Sequence, residues 1–314
     1  MTRPPPLAGL LLTLALLSVE SALRTSASTR VRVIAVHPHN ASMFTEGLFV
    51  LDGAIVESTG LDGQSLIRQY RLARDALTPE EPADHAREEE EDGDDVGDDD
   101  DAALSEVEKE FRFSPEIFGE GIACIGDKLY ALTYKHQTIL VLARDTFKLL
   151  ESHPFETTTG EGWGMTTDGR QLIVSDGSAT IAFYDPAQGF RRVRSIEVKR
   201  DGKPVPNVNE LEYVDGQLLA NVWFTNDVLR IDARTGAVLE TIDLTWLAER
   251  VDNVSKAPAQ VRKDAVMNGI AFDPQTRHVF LTGKLWDSMF EVSFSTLARR
   301  KKSTNGKRKK ERGE

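Results

Sequence analysis

The chain has 314 residues, of which 40 % are hydrophobic, and a formal net charge of −12 at pH 7. That hydrophobic content is enough for a proper core, and because all-β folds often run to this length as one unit, we predict one domain rather than two. The one cysteine, Cys124, excludes an intrachain disulfide; it lies in an apolar stretch and is predicted to be a buried small hydrophobe.

The first residues have the pattern of a secretory signal peptide. An arginine precedes an apolar stretch over 7–17, and small residues follow near Ala22. The stretch is too short for an ordinary transmembrane span, so we predict a signal peptide over 1–22, secretion or delivery to the secretory lumen, and no membrane span after its removal. An uncleaved membrane anchor is the alternative. Two Asn-x-Ser sequons, at Asn40 and Asn253, fit passage through the secretory route.

One short element recurs five times along the rest of the chain. Each copy has an apolar strand, a short turn such as Asp52-Gly53 or Asp215-Gly216, and then a second β-rich strand. A short turn between two apolar strands is a strong hairpin signal. The copies begin with the sequences FTEGL, FGEGI, EGWGM, NVNEL and VMNGI. Five hairpins in tandem predict an all-β fold, a five-bladed β-propeller over residues 30–297.

The spacing of the copies supports this architecture. Aligned at Gly47, Gly121, Gly164, Glu210 and Gly269, the copies are separated by 74, 43, 46 and 59 residues. A four-stranded blade typically takes about 40–50 residues. The first interval is too long for one blade, and a charged segment accounts for its surplus.

Two charged segments are predicted to lie outside the packed fold. Residues 80–101 hold fourteen Asp or Glu, one Arg and no aromatic residue, so they cannot bury enough apolar surface to offset the entropy of ordering them. We predict a disordered acidic insertion over 78–106, between blades 1 and 2. The segment 298–314 is strongly basic. We predict that it is a solvated, disordered tail rather than a segment that binds nucleic acid or an anionic membrane.

The residues just before the five alignment points indicate a central site. The first strands of propeller blades line the central channel, and ligands usually bind at one of its mouths. The residues at these positions are Glu46, Glu120, Trp163, Asn209 and Asn268. Two carboxylates, two amides and an indole around one cavity are typical of a small-molecule site. The alternative is that these groups satisfy one another and the strand-end backbone by hydrogen bonds.

Further candidates stand where the second strand of a hairpin ends. Tyr134 and Trp223 could wall an apolar pocket, and Lys284 could supply a cation or a hydrogen-bond donor. The sequence has no zinc-ligand spacing, no Gly-rich phosphate loop and no Gly-x-Ser-x-Gly elbow. We therefore predict no cofactor and no metal site.

Several motifs resemble the plant-type and bacterial glutaminyl-peptide cyclotransferases. In chain order they are HPHNASMFTEGL, ESTGLDGQSLIRQY, FGEG, GWGMTTDG, SDGSATI, NVNELEYVDGQLLANVW, DAVMNGIAFD and FLTGKLW. The resemblance runs from about His37 to Val292 and is interrupted by the acidic insertion. That family is a five-bladed propeller, in agreement with the repeat count.

The resemblance implies an enzyme that converts the N-terminal glutamine of peptides and proteins to pyroglutamate with loss of ammonia. By the family's motif, the glutamate of FGEG, here Glu120, is implied as the proton shuttle. The predicted substrate-binding residues are Phe44, Glu46, Tyr134, Trp163, Asn209, Trp223, Asn268 and Lys284. The two tryptophans would wall the pocket, and Lys284 would help to polarise the γ-carbonyl. We expect a monomer.

Two positions depart from the family's pattern. Glu46 stands where the family usually has glutamine, and Tyr134 stands where the plant enzymes have tryptophan. Two carboxylates close together raise the proton affinity of one of them, which would alter the pH optimum. Glu46 therefore keeps open the alternative of a propeller that binds a peptide or small molecule without turnover. A third interpretation assigns the function to the acidic segment, as a site for cations or basic proteins.

Overall fold

The structure is a computed structural model that describes residues 28–72, 106–256 and 258–297. The predicted signal peptide and basic tail lie outside these residues, and so does the predicted acidic insertion apart from Glu106. Within the described part of the chain, no helix is both long enough and apolar enough to cross a bilayer.

Most of the described chain is β-strand. The strands are β1 Val31–Pro38, β2 Thr45–Leu51, β3 Ala54–Thr59, β4 Leu66–Tyr70, β5 Val107–Arg112, β6 Gly119–Ile125, β7 Lys128–Thr133, β8 Thr138–Ala143, β9 Leu149–Pro154, β10 Met165–Thr167, β11 Leu172–Ser175, β12 Thr180–Asp185, β13 Arg191–Glu197, β14 Lys199–Arg200, β15 Lys203–Pro204, β16 Val208–Val214, β17 Gln217–Val222, β18 Asp227–Asp232, β19 Val238–Asp243, β20 Met267–Phe272, β21 Val279–Gly283 and β22 Ser288–Phe294. The helices are α1 Thr245–Ala248, α2 Asp252–Ser255, α3 Ala259–Asp264 and a 3-10 turn at Pro186–Gln188.

Twenty of these strands form five four-stranded antiparallel sheets. Blade 1 is β2–β5, blade 2 is β6–β9, blade 3 is β10–β13, blade 4 is β16–β19, and blade 5 is β20–β22 with β1. The innermost strands β2, β6, β10, β16 and β20 contact one another in a closed ring around one axis. The five-bladed β-propeller predicted from the repeats is therefore confirmed.

The hydrophobic core lies between neighbouring blades. Phe183 and Leu229 belong to a buried cluster between blades 3 and 4, and Leu219 and Phe290 belong to one between blades 4 and 5. Equivalent clusters fill the other three junctions. Because both faces of each sheet are covered, its middle strands are apolar runs rather than alternating sequences. Packing the blades side by side brings the first strands together at the axis.

Two of the hairpin turns, Asp52-Gly53 and Asp215-Gly216, have the backbone conformation that their sequences favour. Asp52 and Gly53 both have positive φ, at 53° and 76°, and so do Asp215 and Gly216, at 50° and 86°. Positive φ at both central residues defines the type I′ turn, whose twist matches that of the flanking strands. These turns fix the register of the inner two strands of blades 1 and 4.

The N-terminal strand completes blade 5. β1 pairs antiparallel with β22 along its whole length. Thr29, just before β1, donates its N–H and its hydroxyl to the Glu240 carboxylate of blade 4, each at 2.6 Å. Arg230 lies 2.9 Å from the same carboxylate. Residues from both ends of the described chain therefore close the ring.

Two connections account for the long intervals between repeats. The chain between β4 and β5, residues 71–106, holds the acidic run, so this run precedes the outermost strand of blade 1. The interval between the fourth and fifth repeats holds α1, α2 and α3, over residues 245–264. We call residues 245–264 the helical segment. Its helices are short additions to the predicted all-β fold.

The prediction that Cys124 is buried is wrong. Its side chain is only partly buried because β6 emerges from the core after Ala123, just before the turn at Gly126. Burial of the part that is covered raises the pKa of the Cys124 thiol to about 11. The thiol is therefore neutral at physiological pH, and nucleophilic attack requires the thiolate.

Candidate active site

The candidate site residues stand on irregular positions of the inner strands. In blades 1, 2, 4 and 5, the pairing of the inner strand shifts by one residue near its start. Such bulges redirect a side chain and are common beside active sites. The residues within these shifts include Glu46, Glu120, Asn209 and Asn268. In blade 3, Trp163 stands at the equivalent place, two residues before β10.

A cavity of about 210 Å³ opens at this mouth of the channel. Its lining residues are Phe44, Glu46, Phe118, Glu120, Tyr134, Trp163, Asn209, Trp223 and Lys284. Pockets for drug-sized ligands measure roughly 300–1,000 Å³, so this smaller cavity has room for a ligand the size of one amino-acid residue. Eight of the nine residues predicted from the sequence are brought together here.

The ninth predicted residue, Asn268, lies behind this lining. Its Nδ2 donates to the backbone oxygen of Thr45 at 2.9 Å and lies 3.4 Å from Oε2 of Glu46. Asn268 therefore contacts Glu46 from behind the cavity lining and helps to hold it in position. Sequence analysis missed Phe118. Its signal was nevertheless present in the sequence: Phe118 stands two residues before Glu120 in FGEG, as Phe44 stands two residues before Glu46 in FTEG.

Glu46 and Lys284 form a buried ion pair. The Nζ of Lys284 lies 2.6 Å from Oε1 of Glu46, and the two side chains are 6 % and 2 % exposed. The same Nζ lies 4.4 Å from the centroid of the Phe44 ring. Burial raises the pKa of Glu46, and the neighbouring Lys284 charge opposes that rise. The pair fixes a cationic donor in the wall of the cavity, where water screens it little.

Glu120 is a buried carboxyl without a complete set of partners. It is 5 % exposed, and its Oε2 has no hydrogen-bond partner among the described residues. Burial, and then the charge of Glu46, raise the pKa of Glu120 well above its usual range, while Lys284 opposes this rise. A raised pKa brings a carboxyl closer to the range in which a general acid–base group works best.

Aromatic rings form two walls of the cavity. On one side, Trp163 and Trp223 meet edge to face with ring centroids 5.2 Å apart. The Trp163 ring lies against Gly177, where a Cβ would come within 2.5 Å of the ring, and its Nε1 donates to Glu161 at 3.0 Å. This contact and this hydrogen bond hold the indole against the cavity.

The opposite wall is formed by three further aromatic rings, and a polar side chain, Asn209, lies beside them in the lining. Phe118 lies between Phe44 and Tyr134, with ring centroids 6.3 Å and 5.6 Å away. Asn209 is buried, and its Oδ1 has no hydrogen-bond partner within the described residues. The cavity thus offers apolar walls and several convergent polar atoms, which is the usual composition of a small-molecule site. In residues 28–72, 106–256 and 258–297, no group of three or more His, Cys, Asp or Glu side chains could hold a metal ion.

The fold and the cavity together define a five-bladed β-propeller with a site for a small group at one mouth of its channel. The sequence model of the glutamine cyclotransferase family matches residues 8–294. The chain therefore belongs to the glutamine cyclotransferase family, as the motifs indicated, and is a transferase.

Two relatives agree with this assignment. The glutaminyl-peptide cyclotransferase of Arabidopsis thaliana is 29 % identical over 263 residues, which cover 83 % of this chain and 70 % of the relative. The crystal structure of the glutaminyl cyclase of Myxococcus xanthus is 30 % identical, with a TM-score of 0.67, and the match covers 85 % of this chain and 97 % of that one. The similarity thus spans the whole propeller rather than one blade.

Proposed function

We propose that the central cavity cyclises the N-terminal glutamine of peptides and proteins to pyroglutamate, with Glu120 as the proton shuttle. Family membership supports the reaction. The observation that carries the assignment to Glu120 is its buried Oε2, which lies in the cavity wall without a partner. An acceptor left unpaired in this way is costly unless a ligand supplies its hydrogen bond.

The cavity contributes first by holding the reacting groups together. Both groups belong to the same residue, since the α-amine attacks the side-chain amide carbon and a five-membered lactam forms. A cavity of about 210 Å³ between two aromatic walls favours a folded glutamine over an extended one. Orientation of reacting groups contributes up to roughly 7–11 kcal/mol in well-aligned intramolecular reactions.

Glu120 then moves one proton within the cycle. The neutral α-amine attacks the amide carbon, and as the nitrogen–carbon bond forms, this nitrogen loses one proton to the Glu120 carboxylate. As the tetrahedral carbon expels its amide nitrogen, Glu120 returns that proton and ammonia leaves. Atoms and charge balance without any co-reactant. The raised pKa of Glu120 suits it to both steps, and such acid–base help is worth about 10²–10⁴ in rate.

Lys284 and Asn209 supply the remaining polar contacts. The Lys284 ammonium, fixed 2.6 Å from Glu46, is a donor for the oxygen that becomes negative in the tetrahedral intermediate. The free Oδ1 of Asn209 is an acceptor for the substrate's amine or amide N–H. The indoles of Trp163 and Trp223 cover the aliphatic part of the glutamine and keep water away.

Replacement of Glu120 by glutamine tests the proposal. We expect Glu120→Gln to lower the rate of ammonia release from a peptide with N-terminal glutamine by about 10²–10⁴, because the amide cannot shuttle a proton. Binding of a glutamine peptide should persist, since the volume and one acceptor remain. The matched control is Glu116→Gln, an exposed carboxyl four residues earlier, which should leave the rate unchanged.

Two outcomes would decide against the proposal. A Glu120→Gln variant with parental activity would remove Glu120 from the role of shuttle. Background release by the parent protein at every pH between 5 and 9 would favour the other function considered, a propeller that binds peptides without turnover. The family assignment does not favour that alternative.

We also propose that the protein enters the secretory route. The N-terminal pattern over 1–22 supports this, and so does the exposure of one sequon. Asn40 is partly exposed, and its Nδ2 makes no hydrogen bond with the described residues. Asn253 differs, because its Nδ2 donates to the backbone oxygen of Leu285 at 2.7 Å and its Oδ1 accepts from the N–H of Asp287 at 3.2 Å. A glycan on Asn253 would break the first of these contacts.

Peptide mapping of the full chain secreted from a eukaryotic cell tests this localisation. We expect a mature N-terminus just after residue 22, a glycan on Asn40 and none on Asn253. Retention of residues 1–22 in a membrane fraction would support the uncleaved anchor instead. A glycan on Asn253 would contradict the hydrogen bonds of that side chain. The monomeric state stays a prediction, which light scattering of the same material would check.

A further inference from the structure

The helical segment, residues 245–264, lies on the face of the propeller that carries the cavity. It connects the outermost strand of blade 4 with the innermost strand of blade 5, and β20 begins beside the cavity at Met267. The loop between β17 and β18 and the loop between β21 and β22 open on the same face, since they carry Trp223 and Lys284. Three connections therefore meet at one edge of the cavity.

Direct contacts hold the helical segment against this edge. Asn253 of α2 makes the two hydrogen bonds to Leu285 and Asp287 described above, and its N–H donates to the Asp287 carboxylate at 3.0 Å. Just after α3, the backbone oxygen of Ala265 accepts from the indole N–H of Trp286 at 3.1 Å. These bonds fix the helical segment to the loop that follows Lys284, so the surface between them has a defined shape.

A groove of about 620 Å³ lies between the helical segment and the loop of blade 4. Its lining is mixed: apolar residues such as Phe224, Val254 and Val266 alternate with polar ones such as Glu249 and Lys263. The groove begins where the cavity ends: Phe224 follows the cavity residue Trp223, and Trp286 is two residues after Lys284. The groove and the cavity thus share two connecting loops.

Phe224 joins the two spaces. Its ring is stacked on that of Trp223, with centroids 4.0 Å apart and planes inclined by 23°, while the other face of this side chain is open and 55 % of the residue is exposed. Its φ of 67° matches the left-handed turn at the equivalent positions Leu61, Gly177 and Leu285 of other blades. The turn is a general feature of the fold, but a large exposed ring on it occurs at Phe224 alone among these four positions.

We propose that this groove binds the substrate residue that follows the N-terminal glutamine and favours an aromatic or large apolar side chain there, stacked against Phe224. The inference rests on the proposed function. A glutamine in the cavity has its carbonyl at the open side, because its amine and side chain are inside, so the next residue must leave across the rim. The open face of Phe224 and the apolar part of a lining that is otherwise polar give that residue a surface to cover.

Of the two spaces that adjoin the cavity among the described residues, the groove has more room for such a residue. A second cavity also adjoins the site, since Met43 lines it and the next residue, Phe44, lines the central cavity. That second cavity measures about 100 Å³, the liquid volume of about three waters. The 620 Å³ groove holds a whole residue and part of the next one.

The test compares three substrates on the full-chain protein: Gln-Phe-Ala-amide, Gln-Gly-Ala-amide and glutaminamide, which ends before the groove. We expect kcat/KM to be about 3- to 10-fold higher for the Gln-Phe than for the Gln-Gly peptide, the gain typical of an aromatic pair. In Phe224→Asn this ratio should fall to about 1, and asparagine tolerates the left-handed turn. The control, Trp246→Ala, removes an exposed ring of α1 that lies outside the groove and should keep the wild-type ratio.

The possible results separate the two proposals. Wild-type cyclisation of glutaminamide with no preference between the two peptides would overturn the groove proposal and leave the reaction standing. A parallel loss on all three substrates in Phe224→Asn would also overturn it, because Phe224 would then act only by supporting Trp223. Absence of cyclisation of any substrate by the wild type would overturn the proposed function and this inference with it.

Discussion

Glu46 is the residue that sets the electrostatics of the cavity. Its carboxylate is paired with Lys284 inside the protein and stands close enough to Glu120 to raise the pKa of that carboxyl. A neutral glutamine at this position would keep a hydrogen-bond acceptor for Lys284 but would remove the negative charge. The charge of Glu46 thus holds the lysine in place and makes Glu120 bind its proton more tightly.

Replacement of Glu46 by glutamine should move the acidic limb of the kcat/KM profile to lower pH. The pKa of Glu120 is raised by burial and by the Glu46 charge, and it is lowered by Lys284. Removing the Glu46 charge therefore lowers the pKa of Glu120, while the effect of Lys284 remains. The pH–rate profile with one glutamine peptide measures this shift, since the substrate amine is the same for both proteins.

A second carboxyl provides a graded control for that prediction. Glu161 also raises the pKa of Glu120, but less than Glu46 does. Glu161→Gln should accordingly shift the limb in the same direction by a smaller amount. A limb that stays in place in Glu46→Gln, or moves to higher pH, would contradict this account. We also expect a lower melting temperature for Glu46→Gln, because removal of one partner of a buried pair costs about 3–5 kcal/mol.

At the scale of strands, the inner-strand glycines explain why the site could be located from the sequence. A Cβ on Gly121 would lie 2.3 Å from the backbone nitrogen of Met165, and a Cβ on Gly164 would lie 2.2 Å from the backbone oxygen of Asn209. Only glycine allows the inner strands to approach so closely around the axis. The residue before each of these glycines then points to the mouth, which is why the repeat alignment identified Glu120 and Trp163.

In blade 4, a glutamate stands where the inner strands of the other blades have glycine. Glu210 stands at the aligned position, and its two carboxylate oxygens accept the backbone N–H groups of Leu48 at 3.3 Å and Ile270 at 2.9 Å. These N–H groups lie next to the bulges of blades 1 and 5. The Glu210 side chain therefore crosses the channel and joins three blades, a role that the alignment alone does not reveal.

Other features could not be predicted because they depend on contacts between distant parts of the chain. The pairing of β1 with β22 joins residues more than 240 positions apart, and no local pattern marks it. Asn268 has the same sequence context as the cavity residues, yet it bonds to Thr45 across the junction between blades 5 and 1. The groove beside Phe224 exists because the helical segment is fixed by Asn253, whose sequence context indicated only a sequon.

At the scale of the whole molecule, the ring of blades is closed by strand pairing within blade 5 and not by a covalent bond. Each blade except the fifth is formed by consecutive strands, whereas blade 5 takes its outermost strand from the N-terminal end of the described chain. Thr29 adds two hydrogen bonds to Glu240 of blade 4, a contact that we call the Thr29 clasp. Without β1, strand β22 would become an edge with unpaired backbone groups, which favours association with other chains.

Removal of β1 should therefore destabilise the entire propeller. We expect a chain that begins at residue 28 to unfold cooperatively, because β1 and the Thr29 clasp are intact. A chain that begins at residue 39 loses the β1–β22 ladder, the buried side chain of Ala35 and the clasp. A loss of several kcal/mol is comparable with the total stability of a typical domain, about 5–15 kcal/mol, so this shorter chain should melt at much lower temperature or aggregate.

Circular dichroism on heating measures the difference in melting temperature between the two chains. A peptide of residues 28–38 added in trans should restore part of the lost stability, whereas a scrambled peptide should not. If both chains melt within a few degrees of each other, the closure by β1 does not hold the ring together, and the packing between blades is sufficient by itself.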